Sequence, residues 1–149
     1  MNNQPRVLIV EDDANIRKTL NTILELKGYK TDTARNGREA IQKSKTDFFN
    51  LVLLDIKLPD MEGTKLLTAM HQTYPKMMKI MITGYPSLEN AVESVNSGAD
   101  AYITKPIKPE ILFALLEEKL EEQRLTERMT EEKVTEWIKT RVRRLETAG

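Results

Sequence analysis

The sequence predicts an α/β protein: a five-stranded parallel sheet with helices on both faces, followed by a C-terminal helical extension. Two patterns point there. Short apolar runs alternate with segments of helical period up to about residue 108, as repeated β–α units require. Several of those runs leave no residue for a solvated face, which suits strands buried on both sides. The residues that start and stop helices also fall between the segments.

Val7-Leu8-Ile9-Val10 is the first strand. Ile16, Leu20, Ile23 and Leu24 step at helical spacing, and Gly28 stands where a left-handed residue closes a helix. Tyr29–Ala34 alternates threonine with polar residues and predicts a weaker second strand. Asn36 and Glu39 resemble a capping pair that opens a helix through about Lys45. Leu51-Val52-Leu53-Leu54 is the third strand and the most apolar. After the Pro59–Gly63 loop, Leu66, Leu67 and Met70 mark a third helix that Tyr74-Pro75 ends. Lys79–Ile82 predicts the fourth strand. Ser87 caps a helix carrying Leu88, Ala91, Val92 and Val95, closed by Gly98. Ala101–Thr104 is the fifth strand, and Pro109 suits the first turn of a fifth helix.

Composition narrows the function. Of 149 residues, 40% are hydrophobic and 31% charged, as in globular domains. Basic and acidic residues balance at 23 each, so no net field draws the chain to nucleic acid or anionic lipid. Cysteine is absent, which removes thiolate chemistry and zinc–thiolate sites. The one histidine, His71, is expected on the surface near a helix end and leaves little material for histidine-based catalysis. No apolar stretch reaches the roughly 20 residues of a membrane span, and Met1–Pro5 is too polar for a signal peptide. An intracellular, cytoplasmic protein with no membrane contact is expected.

The chemistry-bearing residues stand at strand ends. Glu11-Asp12-Asp13 follows strand one, Asp55 strand three, Thr83 strand four and Lys105 strand five. In a parallel sheet all these ends share one edge, where α/β proteins place ligands. Carboxylates packed there repel unless a cation or protons offset them. Hard oxygen donors without histidine or cysteine suit Mg²⁺. Aspartate is also a nucleophile toward phosphoryl groups, whose transfer needs positioning and charge neutralisation above all. Metal and Lys105 would supply positive charge, and Thr83 a hydrogen bond. Singly these residues have plainer roles: Asp13 as a helix cap, Asp60 and Glu62 as ordinary loop residues.

The chain resembles the receiver domains of two-component response regulators over roughly residues 5–120. Four motifs carry the resemblance, in order: Val7-Leu8-Ile9-Val10-Glu11-Asp12-Asp13, then Leu53–Gly63 around Asp55, then Met81-Ile82-Thr83-Gly84, then Gly98–Pro106 with Lys105. It implies a flavodoxin-like doubly wound sheet of order 2-1-3-4-5, with the receiver domain at 1–120 and a tail at 121–149. It further implies that Asp55 is the phosphoacceptor and that Asp12 and Asp55 bind Mg²⁺ directly. Glu11 would act through a metal-bound water, and the Lys57 carbonyl would complete the ligands. Thr83 and Lys105 would hold phosphoryl oxygens, and Thr83 and Tyr102 would form the switch. A cis peptide would precede Pro106. Lys57 and Tyr85 would flank the phosphoryl group, a bulky pair expected to slow hydrolysis. The implied partners are a sensor histidine kinase or phosphotransfer protein and a downstream protein that reads the surface of helix four, strand five and helix five. A switch of this kind is a phosphoacceptor, not a turnover enzyme. The alternatives are a receiver-like module that binds partners without phosphorylation, an Asp-nucleophile phosphohydrolase, or a flavin or nucleotide binder. The phosphohydrolase would want an acid where Lys57 stands; the nucleotide binder lacks a Gly-rich phosphate loop.

From Glu117 onward, nine acidic and eight basic residues share 33 positions. Leu120, Leu125, Met129, Val134, Ile138, Val142 and Leu145 keep helical steps, broken between Met129 and Val134. One long helix, or two with Thr130 capping the second, are both open. So are three roles: pairing of subunits as a homodimer, docking to another protein, or the start of a longer regulator. The basic Arg141-Val142-Arg143-Arg144 run fits a helix C-terminus better than DNA binding. Trp137 could anchor a contact or pack back on the domain.

Overall fold

The computed structural model describes residues 4–148, with side chains to residue 143. The start of the polar N-terminal stretch and the side chains of Arg144 and Leu145 lie outside the described residues. The strands are β1 (Arg6–Val10), β2 (Lys30–Ala34), β3 (Leu51–Asp55), β4 (Met78–Thr83) and β5 (Ala101–Thr104). They alternate with α1 (Ala14–Leu26), α2 (Gly37–Thr46), α3 (Gly63–Thr73), α4 (Leu88–Asn96) and α5 (Pro109–Ala148). All strand pairs are parallel, in the order β2-β1-β3-β4-β5.

Side chains alternate across the sheet and build two cores. Val7, Ile9, Leu51, Leu53 and Ile80 face one way and pack on Leu20 and Leu24 of α1 and Leu112, Leu116 and Leu120 of α5. Leu8, Val10, Val52, Leu54 and Met81 face the other way and meet Ala40 of α2 and Leu66, Leu67 and Met70 of α3. Central strands are thus buried on both faces, which is why β1 and β3 read as unbroken apolar runs.

Local signals set most boundaries. Asp13, Asn36 and Ser87 each accept backbone N–H bonds at the start of α1, α2 and α4. Gly28 and Gly98 have φ of 99° and 107°, a region only glycine enters cheaply. The Asn36–Glu39 pair is half a capping box: Asn36 Oδ1 accepts from Glu39 N at 2.8 Å, while the Glu39 carboxylate turns to Arg35 and Lys43.

Asp60 corrects one expectation. It is not an ordinary loop residue: its two carboxylate oxygens accept from Gly37 N and Arg38 N, both at 2.9 Å. These are otherwise unpaired donors at the start of α2, and they hold the Asp60 carboxyl below the usual range. The loop after β3 is thereby tied to a neighbouring helix. Asp60→Ala is expected to cost about 1 kcal/mol, read as a lower denaturation midpoint. Glu62, by contrast, sits at the start of α3 without a side-chain capping bond.

Lys79 is fully buried on β4. Its ammonium donates to Tyr74 O at 2.8 Å and Met77 O at 2.6 Å, closing the turn after α3. Burial holds its pKa below the ordinary lysine value, against the pull of Asp100. Lys79→Ala removes both donors and opens a cavity, so a loss of about 3 kcal/mol is expected, measured by denaturant titration.

α4 packs lightly. Ser94 is its one buried residue, whereas Leu88, Val92 and Val95 of its apolar stripe are exposed. α5 is a single unbroken helix of 40 residues. Thr130 does not cap a second helix; its hydroxyl donates to Thr126 O one turn back. Gln123 is buried and donates to Asn50 O and Lys76 O, at 3.0 and 2.8 Å; described side chains beyond it are exposed. Among the described residues no helix is long and apolar enough to cross a membrane.

Candidate functional site

The chain runs from β1 outward to β2 and then crosses back to β3, so the carboxyl ends of β1 and β3 border a switch point in the sheet. Crevices at such points are where open α/β sheets bind ligands. Backbone bonds hold the rim: Glu11 N donates to Ala34 O, Ile56 N to Ile82 O, and Lys105 N to Thr83 O. Arg17 Nη1 donates to the carbonyls of Glu11 and Asp12, at 2.9 and 3.2 Å, and ties the β1–α1 loop to its helix. Gly63 has a steric reason: a Cβ there would lie 2.7 Å from Ile56 Cα, so only glycine lets α3 start against the end of β3.

Around this rim a cavity of about 460 Å³ is lined by Glu11, Asp12, Asp55, Lys57, Tyr85 and Lys105, with Asp13, Ile16 and Gly84 beside them. Lys105 Nζ bridges two acids, 2.6 Å from Glu11 Oε1 and 2.9 Å from Asp55 Oδ2. Asp55 Oδ1 accepts from Lys57 N at 3.2 Å. Oxygens of Glu11, Asp12 and Asp55 all lie within 4.8 Å of one another. The Lys105–Pro106 peptide is cis.

The electrostatics follow from crowding. Burial, then the Asp55 carboxylate, raise Glu11 to about 7, against the opposing attraction of Lys105. Burial also disfavours the Lys105 ammonium, but its bonds to Glu11 and Asp55 outweigh that and hold its pKa above the ordinary lysine value. Glu11 Oε2 is buried without a hydrogen-bond partner. A water held by a divalent cation would satisfy that oxygen, and the donor set is the hard carboxylate kind such cations prefer. The residues present therefore fit a Mg²⁺-type ion.

Two expected residues stand back from the cavity. Thr83 is fully buried at the end of β4, its Oγ1 accepting from Tyr85 N at 2.9 Å. Tyr102 packs against the core on the α3 side, and its hydroxyl is buried without a hydrogen-bond partner. Asp13 caps α1, accepting from Asn15 N and Ile16 N. His71 is exposed in the last turn of α3. Lys57 Nζ lies 4.2 Å from the centroid of the Tyr85 ring, a cation–π stack at the cavity that spacing alone could not foresee.

The family model for the response regulator receiver domain matches residues 7–117. A CheY-like receiver domain from Methanospirillum hungatei JF-1 is 51% identical, with a TM-score of 0.80 over 83% of this chain and 98% of that one. CheY4 of Vibrio cholerae is 31% identical, with a TM-score of 0.75 over 77% and 98%. The regulatory protein AtoC of Escherichia coli K12 is 36% identical over 79% of this chain. The chain spans only about a quarter of that relative's length, 26%. The switch-point crevice, its acidic cluster and these likenesses lead to one assignment: the chain belongs to the response regulator receiver domain family of two-component systems.

Proposed function

We propose that the protein is a phosphorylation switch that accepts a phosphoryl group on Asp55 with Mg²⁺ bound beside it. The observation that carries this reading is the Lys105 ammonium, held between Glu11 and Asp55 at 2.6 and 2.9 Å. Two acids and a lysine locked together in a crevice form a charged site that an arriving phosphate can reorganise. Asp12 and Asp55 would ligate the ion directly, Glu11 through water, and the Lys57 carbonyl would complete the set. The bound ion would offset the charge of the acids and of the incoming phosphoryl oxygens.

The donor is a sensor histidine kinase or phosphotransfer protein. An Asp55 oxygen forms a bond to phosphorus as the phosphorus–nitrogen bond of the donor imidazole breaks, and the nitrogen keeps the electron pair. Lys105 then turns from Glu11 toward a phosphoryl oxygen, and Thr83 donates its hydroxyl to another. An apolar groove lined by Ile16, Leu20, Ile23, Pro106 and Ile107 opens beside Lys105 and gives a donor protein surface to grip.

Output follows from population shift. Thr83 and Tyr102 move together, and the surface of α4, β5 and α5 changes for a downstream protein. The exposed Leu88, Val92 and Val95 of lightly packed α4 favour this surface as the one read. The receiver unit is residues 1–120, with 121–149 as its helical tail, acting in the cytoplasm without direct DNA contact.

The test is incubation with a small phosphodonor and Mg²⁺, followed by intact mass. One stable phosphoryl per chain, lost in Asp55→Asn, supports the switch. Repeated turnover of a phosphoester supports a phosphohydrolase, and no labelling supports a phosphorylation-independent module.

The Lys57–Tyr85 stack carries a further expectation. It covers the approach a hydrolytic water would use, so the phosphoaspartate is expected to be long-lived. Replacing Lys57 and Tyr85 by small polar residues should speed its decay about two- to fivefold, in line with the roughly 0.5–1 kcal/mol of an exposed cation–π pair. The decay of labelled protein by mass gives the answer; equal lifetimes would remove this role.

A further inference from the structure

Beyond Gln123, α5 leaves the domain and carries an apolar face that no other element covers among the described residues; only Arg141, one turn on, lies over the Trp137 ring at 4.9 Å. Val134, Trp137, Ile138 and Val142 are all exposed, Trp137 by 60%. Val134 lies about five turns beyond Leu116, so this stripe continues the helix face that packs on the sheet. Leu125 and Met129 sit about half a turn away on the other side. A lone helix of this length with an exposed apolar stripe is marginal in water, because most helical stability comes from packing such a face.

The charges along the tail say what covers it. In the part beyond Gln123, residues 124–132 hold three acids and two bases, and residues 139–149 hold four bases and one acid. A second copy laid parallel would set acid beside acid and base beside base. Laid antiparallel, it sets the more acidic end of each free stretch against the basic end of the other. Register follows from the stripe itself. Stacking Val134 against Ile138 of the second copy buries the centre of the apolar face and puts Glu131 level with Arg141 of the second copy. It also keeps the second helix beyond Gln123, where the domain already occupies that face.

We propose that the extension of α5 is a homodimerisation element in which two copies pair antiparallel through Val134, Trp137, Ile138 and Val142, with Glu131 and Arg141 as the cross-chain ion pair. The two receiver units then stand at opposite ends of the paired helices, with both crevices open. The pairing does not rest on the phosphoryl reading of Asp55.

Sedimentation equilibrium of the full chain is expected to give a mass near twice 17.1 kDa, and the same for Asp55→Asn. The single tryptophan, Trp137, reports independently: its emission should shift to the red on dilution as the pair separates. Glu131→Arg is expected to weaken association at least about tenfold, since two symmetric contacts become repulsive. Adding Arg141→Glu to it should restore the dimer, and with it the helical circular dichroism that the separated extension loses. A chain monomeric at about 100 μM, far above the Kd of a stable pair, would overturn the proposal. So would a double variant as dissociated as Glu131→Arg alone, the result a parallel pair gives.

Discussion

Lys105→Met is expected to slow phosphoryl uptake at Asp55 by about a hundredfold or more, the scale seen when one preorganised transition-state contact is removed. The reason is positional. The ammonium already stands 2.9 Å from the Asp55 oxygen that would attack, and the residue's own N–H is fixed to Thr83 O. Its charge is already at the site as phosphoryl oxygens arrive, and the ammonium has only to turn from Glu11 to meet one. The same substitution should strengthen Mg²⁺ binding, by about tenfold for one full charge in a partly buried site. Glu11, Asp12 and Asp55 would then face each other without an internal cation. Slower labelling at saturating Mg²⁺, together with tighter Mg²⁺ by calorimetry, is a paired signature that misfolding cannot produce. An unchanged labelling rate would remove Lys105 from the reaction.

Glu11 governs the second large effect. Its carboxyl is raised to about 7 from an ordinary 4.5, by burial first and by Asp55 second. Below about 7 the metal-free site holds a proton on Glu11, which a bound cation must expel. Mg²⁺ affinity should therefore fall about tenfold for each pH unit below that point and level off above it. Stability of the metal-free protein runs the other way. A carboxyl whose folded pKa is raised favours the folded state at low pH, and that contribution is lost as pH climbs from 4.5 through about 7. Glu11→Gln should flatten both trends, because an amide keeps the shape and loses the proton. Calorimetry across this window and thermal melts without metal check the two slopes; a Glu11→Gln protein with the parent's pH dependence would place the titration elsewhere.

Much of the fold was legible because its signals are local. Asn36 and Ser87 cap, Gly28 and Gly98 terminate, and Pro109 starts a helix using only their own neighbours. The two-faced burial of β1 and β3 was visible as apolar runs, and the parallel sheet they imply put Glu11, Asp55 and, after β5, Lys105 on one edge. What stayed hidden depends on distant partners. Asp60 reaches Gly37 across 23 positions, and Gln123 reaches Asn50 across 73. Lys79 was hidden although its partners are near: the carbonyls of Tyr74 and Met77, five and two residues back, take its ammonium only because the turn after α3 folds them over it. The exposure of Leu88, Val92 and Val95 was hidden for the opposite reason: their spacing is that of a core stripe, yet α4 buries only Ser94. Gaps between apolar residues cannot tell a face that packs from one awaiting a partner.

On the proposed reading, acids from β1 and β3 gather round one divalent ion next to Lys105. Crystals grown with Mn²⁺ test it through the anomalous signal of the metal. A single site is expected, about 2.2 Å from oxygens of both Asp12 and Asp55, with Glu11 Oε2 reached through water and Lys105 on the far side of Asp55. A metal bound away from those carboxylates, or none at saturating concentration, would contradict the account.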